Sequence, residues 1–316
     1  MKLARIALAA IALCLAQTAL VRADVLDAKL PAQAWSKTVG SLRVEKYGSG
    51  APALILVPGL ACGPWSWRDT IAREAPSHTV YAVTLAGFDG LAAGDGATLD
   101  GAEASIVTLI ASEHLDRPVL VGHSLGGSLV LRFGVDHSDL VRGIVSVDGL
   151  PVMPQLAMAT SDQRAATAQQ VFATISAATP AEFAKSETGF VDDYVTDQVL
   201  AAKVVQLALR SDQKAVAEYS KELYLTDLRP QLAKISVPVA EIAPVPGVPL
   251  PSYYPAVMAS MTSADRHAAF VGFYQALLQG IPSLAILPVD DSRHFVMLDQ
   301  PAAFTAALDG FIATLK

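Results

Sequence analysis

Short apolar runs and segments of helical periodicity alternate along most of the chain. The runs at residues 53–57 and 119–121 are continuously apolar, which is typical of strands buried on both faces of a sheet. Residues 42–47 instead alternate apolar and polar side chains, which predicts an antiparallel edge strand. Further strands are predicted at 78–85, 141–147, 238–242 and 284–288, and helices from about 65, at 100–114, from 125, at 264–278 and from 301. This order predicts an α/β fold with a doubly wound, mostly parallel sheet.

The pattern changes between residues 150 and 228, where alanine-rich helical segments replace the β-branched runs. Thr179-Pro180-Ala181-Glu182 is a helix start signal, with a capping threonine, proline at the first helical position and glutamate at the third. We therefore expect a helical cap at 150–228, inserted between two parts of a core that comprises residues 24–149 and 229–316.

Residues 1–23 have the composition of a secretory signal peptide. Lys2 and Arg5 provide the positive end, residues 6–15 form an apolar run, and Val21-Arg22-Ala23 offers small side chains to signal peptidase. The run is too short to span a membrane, although a retained anchor is the alternative. We expect an exported protein, periplasmic or secreted, without stable membrane insertion once the signal is removed.

Charge and cysteine content exclude several classes of protein. Without Lys2, Arg5 and Arg22, 20 basic residues stand against 30 acidic ones, a net charge of about −10. A chain this acidic does not suit nucleic acid or an anionic membrane surface. Cys62 is the one cysteine beyond the signal segment, so packing rather than an internal disulfide must hold the fold together. The six histidines are scattered, without paired cysteines or His-Glu-x-x-His spacing, so no metal site is predicted.

The most informative motif is Gly122-His123-Ser124-Leu125-Gly126, which follows the apolar run at 119–121. Apolar residues at helical spacing come after it. A serine at the apex of a tight turn between a strand and a helix is the arrangement of a nucleophile elbow. The two glycines have a steric role, because only residues without Cβ fit where the backbone passes so close to the serine. The motif predicts a nucleophile at Ser124, and a turn that only connects two elements is the alternative.

Three motifs together resemble the α/β-hydrolase fold family. They are Gly-His-Ser-Leu-Gly-Gly at 122–127, Val-Pro-Gly-Leu at 57–60 and Ser-Arg-His-Phe-Val-Met-Leu-Asp-Gln-Pro at 292–301. The resemblance covers about residues 40–316 and puts the helical segment in the position of the family's cap. It implies a fold and a class of mechanism, whereas this fold carries many chemistries and leaves the substrate open.

The resemblance also implies roles for individual residues. A serine hydroxyl needs an adjacent base at neutral pH, and His294 follows the last predicted strand, where the family's histidine falls. The backbone N–H groups of Leu60 and Leu125 are expected to hold the oxyanion. No cofactor is implied. Trp65 and Trp67 are candidates for the pocket wall, with core packing as the alternative.

The acid of the triad departs from the family's commonest pattern. It usually follows the strand two before the end, here 238–242, but residues 243–264 contain no Asp or Glu. Asp148 ends the strand after the nucleophile helix, at the carboxyl edge of the sheet, where some α/β-hydrolases place their acid. We predict that Asp148 accepts a hydrogen bond from Nδ1 of His294. A capping role for Asp148 stays open, as do three other acids as the triad member: Glu241, Asp290 and Asp291.

A serine nucleophile favours acyl transfer. Haloalkane dehalogenases and epoxide hydrolases resemble this chain in cap placement, but they use aspartate. We predict a serine hydrolase acting on carboxylic esters or related small-molecule acyl substrates. An exported iminopeptidase stays open, with Asp192-Asp193 or Glu222 holding a substrate's amino terminus, as does a non-catalytic binding protein. The oligomeric state also stays open.

One loop has an unusual composition. Residues 244–255 contain five prolines and the pair Tyr253-Tyr254. The segment follows the strand whose end normally faces the catalytic histidine, so we place it at the pocket rim, where it favours a small or medium apolar acyl group. A surface loop stiffened by prolines is the alternative.

Overall fold

The computed structural model describes residues 25–189, 191–247 and 261–315. The predicted signal segment and the pair Tyr253-Tyr254 lie outside these ranges. Export and an aromatic pocket rim therefore stay predictions.

An eight-stranded sheet forms the centre of the described chain. Its strands are β1 (Gln33–Val39), β2 (Leu42–Tyr47), β3 (Leu54–Val57), β4 (Val80–Thr84), β5 (Val119–His123), β6 (Gly143–Val147), β7 (Val239–Val245) and β8 (Leu284–Asp290). Their spatial order is β1-β2-β4-β3-β5-β6-β7-β8. The pairs β1–β2 and β2–β4 are antiparallel, and the other neighbours are parallel. The predicted α/β fold with a doubly wound, mostly parallel sheet is confirmed.

The burial of the strands explains both the successes and the error of the sequence prediction. Strands β3 to β7 are buried along their whole length, which is why they are visible as continuous apolar runs. The strand predicted at 42–47 is antiparallel as expected, but its assignment to the edge is wrong, because β1 covers its outer side. Most residues of β1 are exposed, so its side chains carry no regular apolar alternation that would reveal it.

Helices cover both faces of the sheet. In chain order they are α1 (Arg68–Glu74), α2 (Leu99–Ser112), α3 (Leu125–His137), α4 (Ser161–Ala177), α5 (Pro180–Gly189), α6 (Val191–Tyr194), α7 (Gln198–Ala208), α8 (Gln213–Leu225), α9 (Ser263–Leu278), α10 (Val296–Asp299) and α11 (Pro301–Ile312). Leu120 of β5 packs with α2 and α3 on one face, whereas its neighbour Val121 packs with α1 and α11 on the other. None of the described helices combines the length and apolar character that a membrane crossing requires.

Helices α4 to α8 follow β6 and precede β7 in the chain, and they form a separate layer. Helix α5 begins as the start signal predicts, because Thr179 N–H donates to the Glu182 carboxylate at 2.8 Å and Glu182 N–H donates to Thr179 Oγ1 at 3.3 Å. The chain enters and leaves this layer at one place, where Val152 and Asp227 form an isolated β-bridge. That bridge lies close to the predicted boundaries of the cap.

Candidate active site

Ser124 lies at the apex of the turn between β5 and α3. Its backbone adopts φ 54° and ψ −115°, a conformation that is costly for a residue with a side chain. The neighbouring strand holds it there, since Ser124 N–H donates to the carbonyl oxygen of Val147 at 2.9 Å. The strand therefore ends with the serine lifted out of the sheet and facing the layer of cap helices.

Two glycines allow this turn. A Cβ on Gly122 would lie 2.1 Å from the carbonyl oxygen of Gly126, and a Cβ on Gly126 would lie 2.4 Å from that of Val57. Both distances are far below van der Waals contact, so a side chain at either position would force the backbone apart. The first turn of α3 thus packs directly on the end of β3.

This packing brings the two expected oxyanion donors to the serine. Gly59 lies so close to the turn that a Cβ there would be 3.2 Å from Cβ of Ser124. Leu60 follows Gly59 and lines the same cavity as Ser124, while Leu125 is the first residue of α3. Within the described ranges, no backbone acceptor binds the N–H of Leu60 or Leu125. Both groups are therefore available to a substrate oxygen.

His294 lies in the loop between β8 and α10 and also lines this cavity. Its Nδ1 is 2.6 Å from Oδ2 of Asp148, which is the contact expected from the sequence. With Nδ1–H donating to a carboxylate, Nε2 keeps the lone pair that a general base requires. The backbone of the loop is held by the cap, since His294 N–H donates to the carbonyl oxygen of Asp193 at 3.2 Å.

Asp148 directly follows β6, where its backbone takes a positive φ of 48°. Asp148 N–H donates to the carbonyl oxygen of Ile242 in β7 at 3.2 Å, which fixes the end of the strand. The hydroxyl of Tyr274, a buried residue of α9, donates to Oδ1 of Asp148 and leaves Oδ2 to His294. The carboxylate is thus held from two sides. Asp148 is not the N-cap of α4, because Thr160 occupies that position.

The other acids considered from sequence do not contact His294. Asp290 pairs with His267 Nδ1 at 2.8 Å and is largely exposed, and Asp291 accepts at its carbonyl oxygen from Gln300. Glu241 is fully buried in β7. Its carboxyl lies beside the Ser146 side chain, but neither oxygen has a hydrogen bond of normal geometry within the described chain. Burial raises the pKa of Glu241 well above its usual range, which favours the neutral acid.

His123 is a structural neighbour of the site. It is buried, with its ring centroid 4.6 Å from that of His294. Its Nε2 lies 2.9 Å from the carbonyl oxygen of His294, so Nε2 carries the proton and donates. Burial, assisted by the neighbouring His294, lowers the pKa of His123 well below its usual value. A neutral His123 therefore supports the loop of His294 from beneath.

The cavity above Ser124 measures about 370 Å³ and lies between the sheet and the cap. Its cap side includes Phe183, Glu187, Asp193 and Tyr194. Most lining side chains are apolar, and no three His, Cys, Asp or Glu side chains of the described chain converge to hold a metal ion. The arrangement suits a small organic substrate that places a carbonyl group at the serine.

The two tryptophans pack in or against the core and do not form the pocket wall. Trp67 is fully buried and packs on Phe304, with ring centroids 6.1 Å apart. Trp65 stacks behind Phe295 at 6.2 Å, and Phe295 rather than Trp65 lines the cavity. Trp67 is therefore a core residue, and Trp65 is partly buried and packs against the core.

Sequence reasoning missed Tyr274 and Glu187. Tyr274 occupies an ordinary buried position of an amphipathic helix, and only the three-dimensional fold reveals its contact with Asp148. Glu187 lies near the end of a short polar cap helix, where the sequence shows an ordinary solvated face. Neither residue has a local sequence signal.

The same fold occurs in known proteins. A model of the alpha/beta hydrolase family matches residues 54–308. This chain belongs to the alpha/beta hydrolase family.

Individual relatives are distant. "Putative carbamate hydrolase RutD" of Serratia proteamaculans is 26% identical over 204 residues, which covers 60% of this chain and 70% of that protein. A "Carbendazim hydrolyzing esterase" of a Nocardioides species is 34% identical over 98 residues, which covers 30% of this chain and 40% of the relative. The RutD protein of Yersinia enterocolitica is matched over 41% of its length. For these last two, the similarity spans about two fifths of the relative.

Solved structures share the fold over nearly the whole chain. An esterase from Thermogutta terrifontis superposes with a TM-score of 0.68 at 17% identity, covering 89% of this chain and 98% of that one. The enol-lactonase of Burkholderia xenovorans LB400 gives a TM-score of 0.64 at 16% identity, covering 88% and 100%. At such identities the likeness concerns the fold alone.

The steric role of the turn glycine can be tested by substitution. Gly126→Ala should destabilise the protein by about 1–3 kcal/mol, because the new methyl group meets the backbone of β3. Gly310→Ala, in α11 with open space around its Cα, is the matched control and should be neutral or stabilising by up to about 1 kcal/mol. Urea denaturation of both variants measures the difference. Equal stability of the two variants would show that the turn tolerates a side chain.

Proposed function

We propose that this protein is a serine hydrolase that cleaves carboxylic esters or related acyl substrates through Ser124, His294 and Asp148. The strongest support is the hydrogen bond of 2.6 Å between His294 Nδ1 and Asp148 Oδ2, which joins residues 146 positions apart in the chain. The serine in its strained turn and the histidine line one cavity, and this combination is the constellation of a nucleophile, a base and an orienting acid.

The proposed reaction has two halves. In the first, Ser124 Oγ attacks the acyl carbon while His294 Nε2 takes the hydroxyl proton, and Asp148 stabilises the imidazolium that forms. His294 then gives this proton to the leaving alcohol as its bond to the acyl carbon breaks. In the second half, water attacks the acyl-enzyme with His294 again as base, and the acid product leaves with Ser124 restored.

The oxyanion of each tetrahedral intermediate would be stabilised by Leu60 and Leu125. Their N–H groups are fixed by the end of β3 and the start of α3, so they need no rearrangement when charge develops. The positive end of the α3 dipole acts in the same direction. Loss of one such donor typically costs about 10²–10³ in rate, so this element carries a large share of catalysis.

Two classes of acyl substrate suit this site. Relatives include a protein named as a carbamate hydrolase and one named as an esterase, both at low identity. Esters and carbamates share the carbonyl group and the leaving group that this mechanism requires. We therefore propose esters as the first class and carbamates as the second.

An iminopeptidase receives less support. Glu222, one of its candidate acids, accepts a hydrogen bond from Leu99 N–H at 2.5 Å and does not line the cavity. Asp193 does line it. The lack of an Asp or Glu directly after β7 would favour a non-catalytic binding protein, but the contact of Asp148 with His294 supports a catalytic site instead.

The nucleophile is tested by removing one oxygen. Ser124→Ala should lower hydrolysis of p-nitrophenyl butyrate by about 10³-fold or more, while circular dichroism stays unchanged. A fluorophosphonate probe should label the wild-type protein and leave Ser124→Ala unlabelled. Ser128→Ala, on the same helix, is the control and should stay labelled. Residual activity within tenfold of wild type, or labelling of Ser124→Ala, would remove Ser124 as the nucleophile.

The substrate class is tested by comparing p-nitrophenyl esters with an aminoacyl anilide. We expect p-nitrophenyl acetate and butyrate to be hydrolysed with kcat/KM at least about 100-fold above that of proline p-nitroanilide. Both reactions release a coloured product, so one absorbance assay serves for both. Preferential turnover of the anilide would contradict the esterase proposal and support the iminopeptidase. Labelling by the probe without turnover of either would indicate a different acyl substrate.

A further inference from the structure

The cap side of the cavity carries a carboxylate that the proposed triad does not use. Asp193, in α6, is 2% exposed and lines the cavity. Neither of its carboxylate oxygens has a hydrogen-bond partner among the described residues. Desolvating a carboxylate without a partner is costly, so a polar group that enters the cavity beside it is strongly favoured.

Asp193 has no structural task that would explain its burial. The helix that follows is capped by Asp197, whose carboxylate accepts from the N–H groups of Val199 and Leu200. No ion pair within the described chain includes the Asp193 side chain. Only its main chain is engaged, through the carbonyl oxygen that accepts from His294. Its carboxylate is therefore buried without a partner in the described chain.

That main-chain contact also places residue 193 next to the loop that carries His294. The His294 N–H bond to the Asp193 carbonyl oxygen measures 3.2 Å, and the next pair, Phe295 N–H to the Tyr194 carbonyl oxygen, measures 2.9 Å. Two consecutive hydrogen bonds tie this part of the cap to the histidine loop. Because Asp193, Ser124 and His294 line one cavity, a ligand held by Asp193 would lie in the same cavity as the reacting centre.

The surroundings of Asp193 favour a ligand that donates hydrogen bonds over a ligand that accepts them or is an anion. No Lys or Arg is among the described residues that line the cavity. A second cap acid, Glu187, lines the same wall and accepts from the Tyr194 hydroxyl at 3.3 Å. The rings of Tyr194 and Phe295 lie 5.4 Å apart at the same wall, and aromatic rings attract organic cations. A cavity wall that combines carboxylates with aromatic rings suits an ammonium or amide N–H group.

We propose that Asp193 is a specificity residue that binds a protonated amine or N–H group of the substrate, next to the acyl group that Ser124 attacks. The substrate class is then an ester or carbamate whose acyl or leaving group carries nitrogen with at least one hydrogen. This statement rests on the proposed function for the chemistry at Ser124, but the binding of the amine itself requires no catalysis.

The test uses the full-length Ser124→Ala variant, so that binding is measured without turnover. Hexylammonium, hexanol and hexanoate share one apolar chain and differ only in charge and donor capacity. Ligand-observed NMR titrations should give a Kd for hexylammonium about tenfold or more below that of hexanol, with hexanoate the weakest. Equal affinity for the ammonium and the alcohol would overturn the proposal, whatever the behaviour of any further variant.

A matched pair of substitutions assigns the selectivity to Asp193. Adding Asp193→Asn, which retains size and the main-chain contact, should reduce the preference for hexylammonium about tenfold. Adding Asp162→Asn makes the same chemical change at an exposed site in the first turn of α4 and should leave the preference unchanged. Selectivity that survives in the Asp193→Asn protein would contradict the assignment.

The two proposals fail in different ways. If the protein binds hexylammonium selectively but no ester is hydrolysed and no probe labels Ser124, the amine subsite stands and the serine hydrolase proposal fails. If simple esters are hydrolysed through Ser124 while ammonium and alcohol bind equally, the hydrolase proposal stands and the amine subsite fails.

Discussion

The hydrogen bond between His294 and Asp148 is the contact on which the site depends. It joins the loop after β8 to the end of β6 across the carboxyl edge of the sheet. Neither residue holds this position alone. Tyr274 and the backbone of β7 fix Asp148, while the cap and His123 fix the loop of His294. The orientation of His294 therefore depends on several contacts along the carboxyl edge of the sheet.

The cap belongs to this site as much as the sheet does. Carbonyl oxygens at the end of α6 accept from the backbone of His294 and Phe295, so the elements that close the cavity also position the histidine. A movement of α6 would change cavity shape and base geometry together. The same construction places Asp193 in the wall of this cavity, which links the proposed choice of substrate to the geometry of His294.

The sheet and the turn that carries Ser124 were predictable because they depend on local signals. Continuous apolar runs identified the buried strands, and two glycines around Ser124 identified a turn that only residues without Cβ permit. The histidine was predictable only through resemblance to a family. Asp148 was reached by elimination, since residues 243–264 hold no acid, and the geometry agrees with that assignment.

Other features could not be predicted, for identifiable physical reasons. The exposed strand β1 depends on pairing with β2 rather than on an apolar pattern of its own. Tyr274 gains its importance from its contact with Asp148 and Glu187 from its place in the cavity wall, so nothing around them in the sequence distinguishes a site residue from a core or surface residue. Chain topology, rather than composition, makes them part of the site.

The central claim is that Asp148 orients His294 for catalysis at Ser124, and the most direct measurement is kcat of Asp148→Asn for a p-nitrophenyl ester. We predict a loss of about 10³–10⁴-fold with an unchanged circular dichroism spectrum, because the amide cannot stabilise the imidazolium and favours the wrong tautomer. Glu241→Gln, which changes the other buried acid nearby, should retain kcat within a few-fold. An Asp148→Asn protein with kcat within tenfold of wild type, alongside an inactive Glu241→Gln protein, would contradict this role of Asp148.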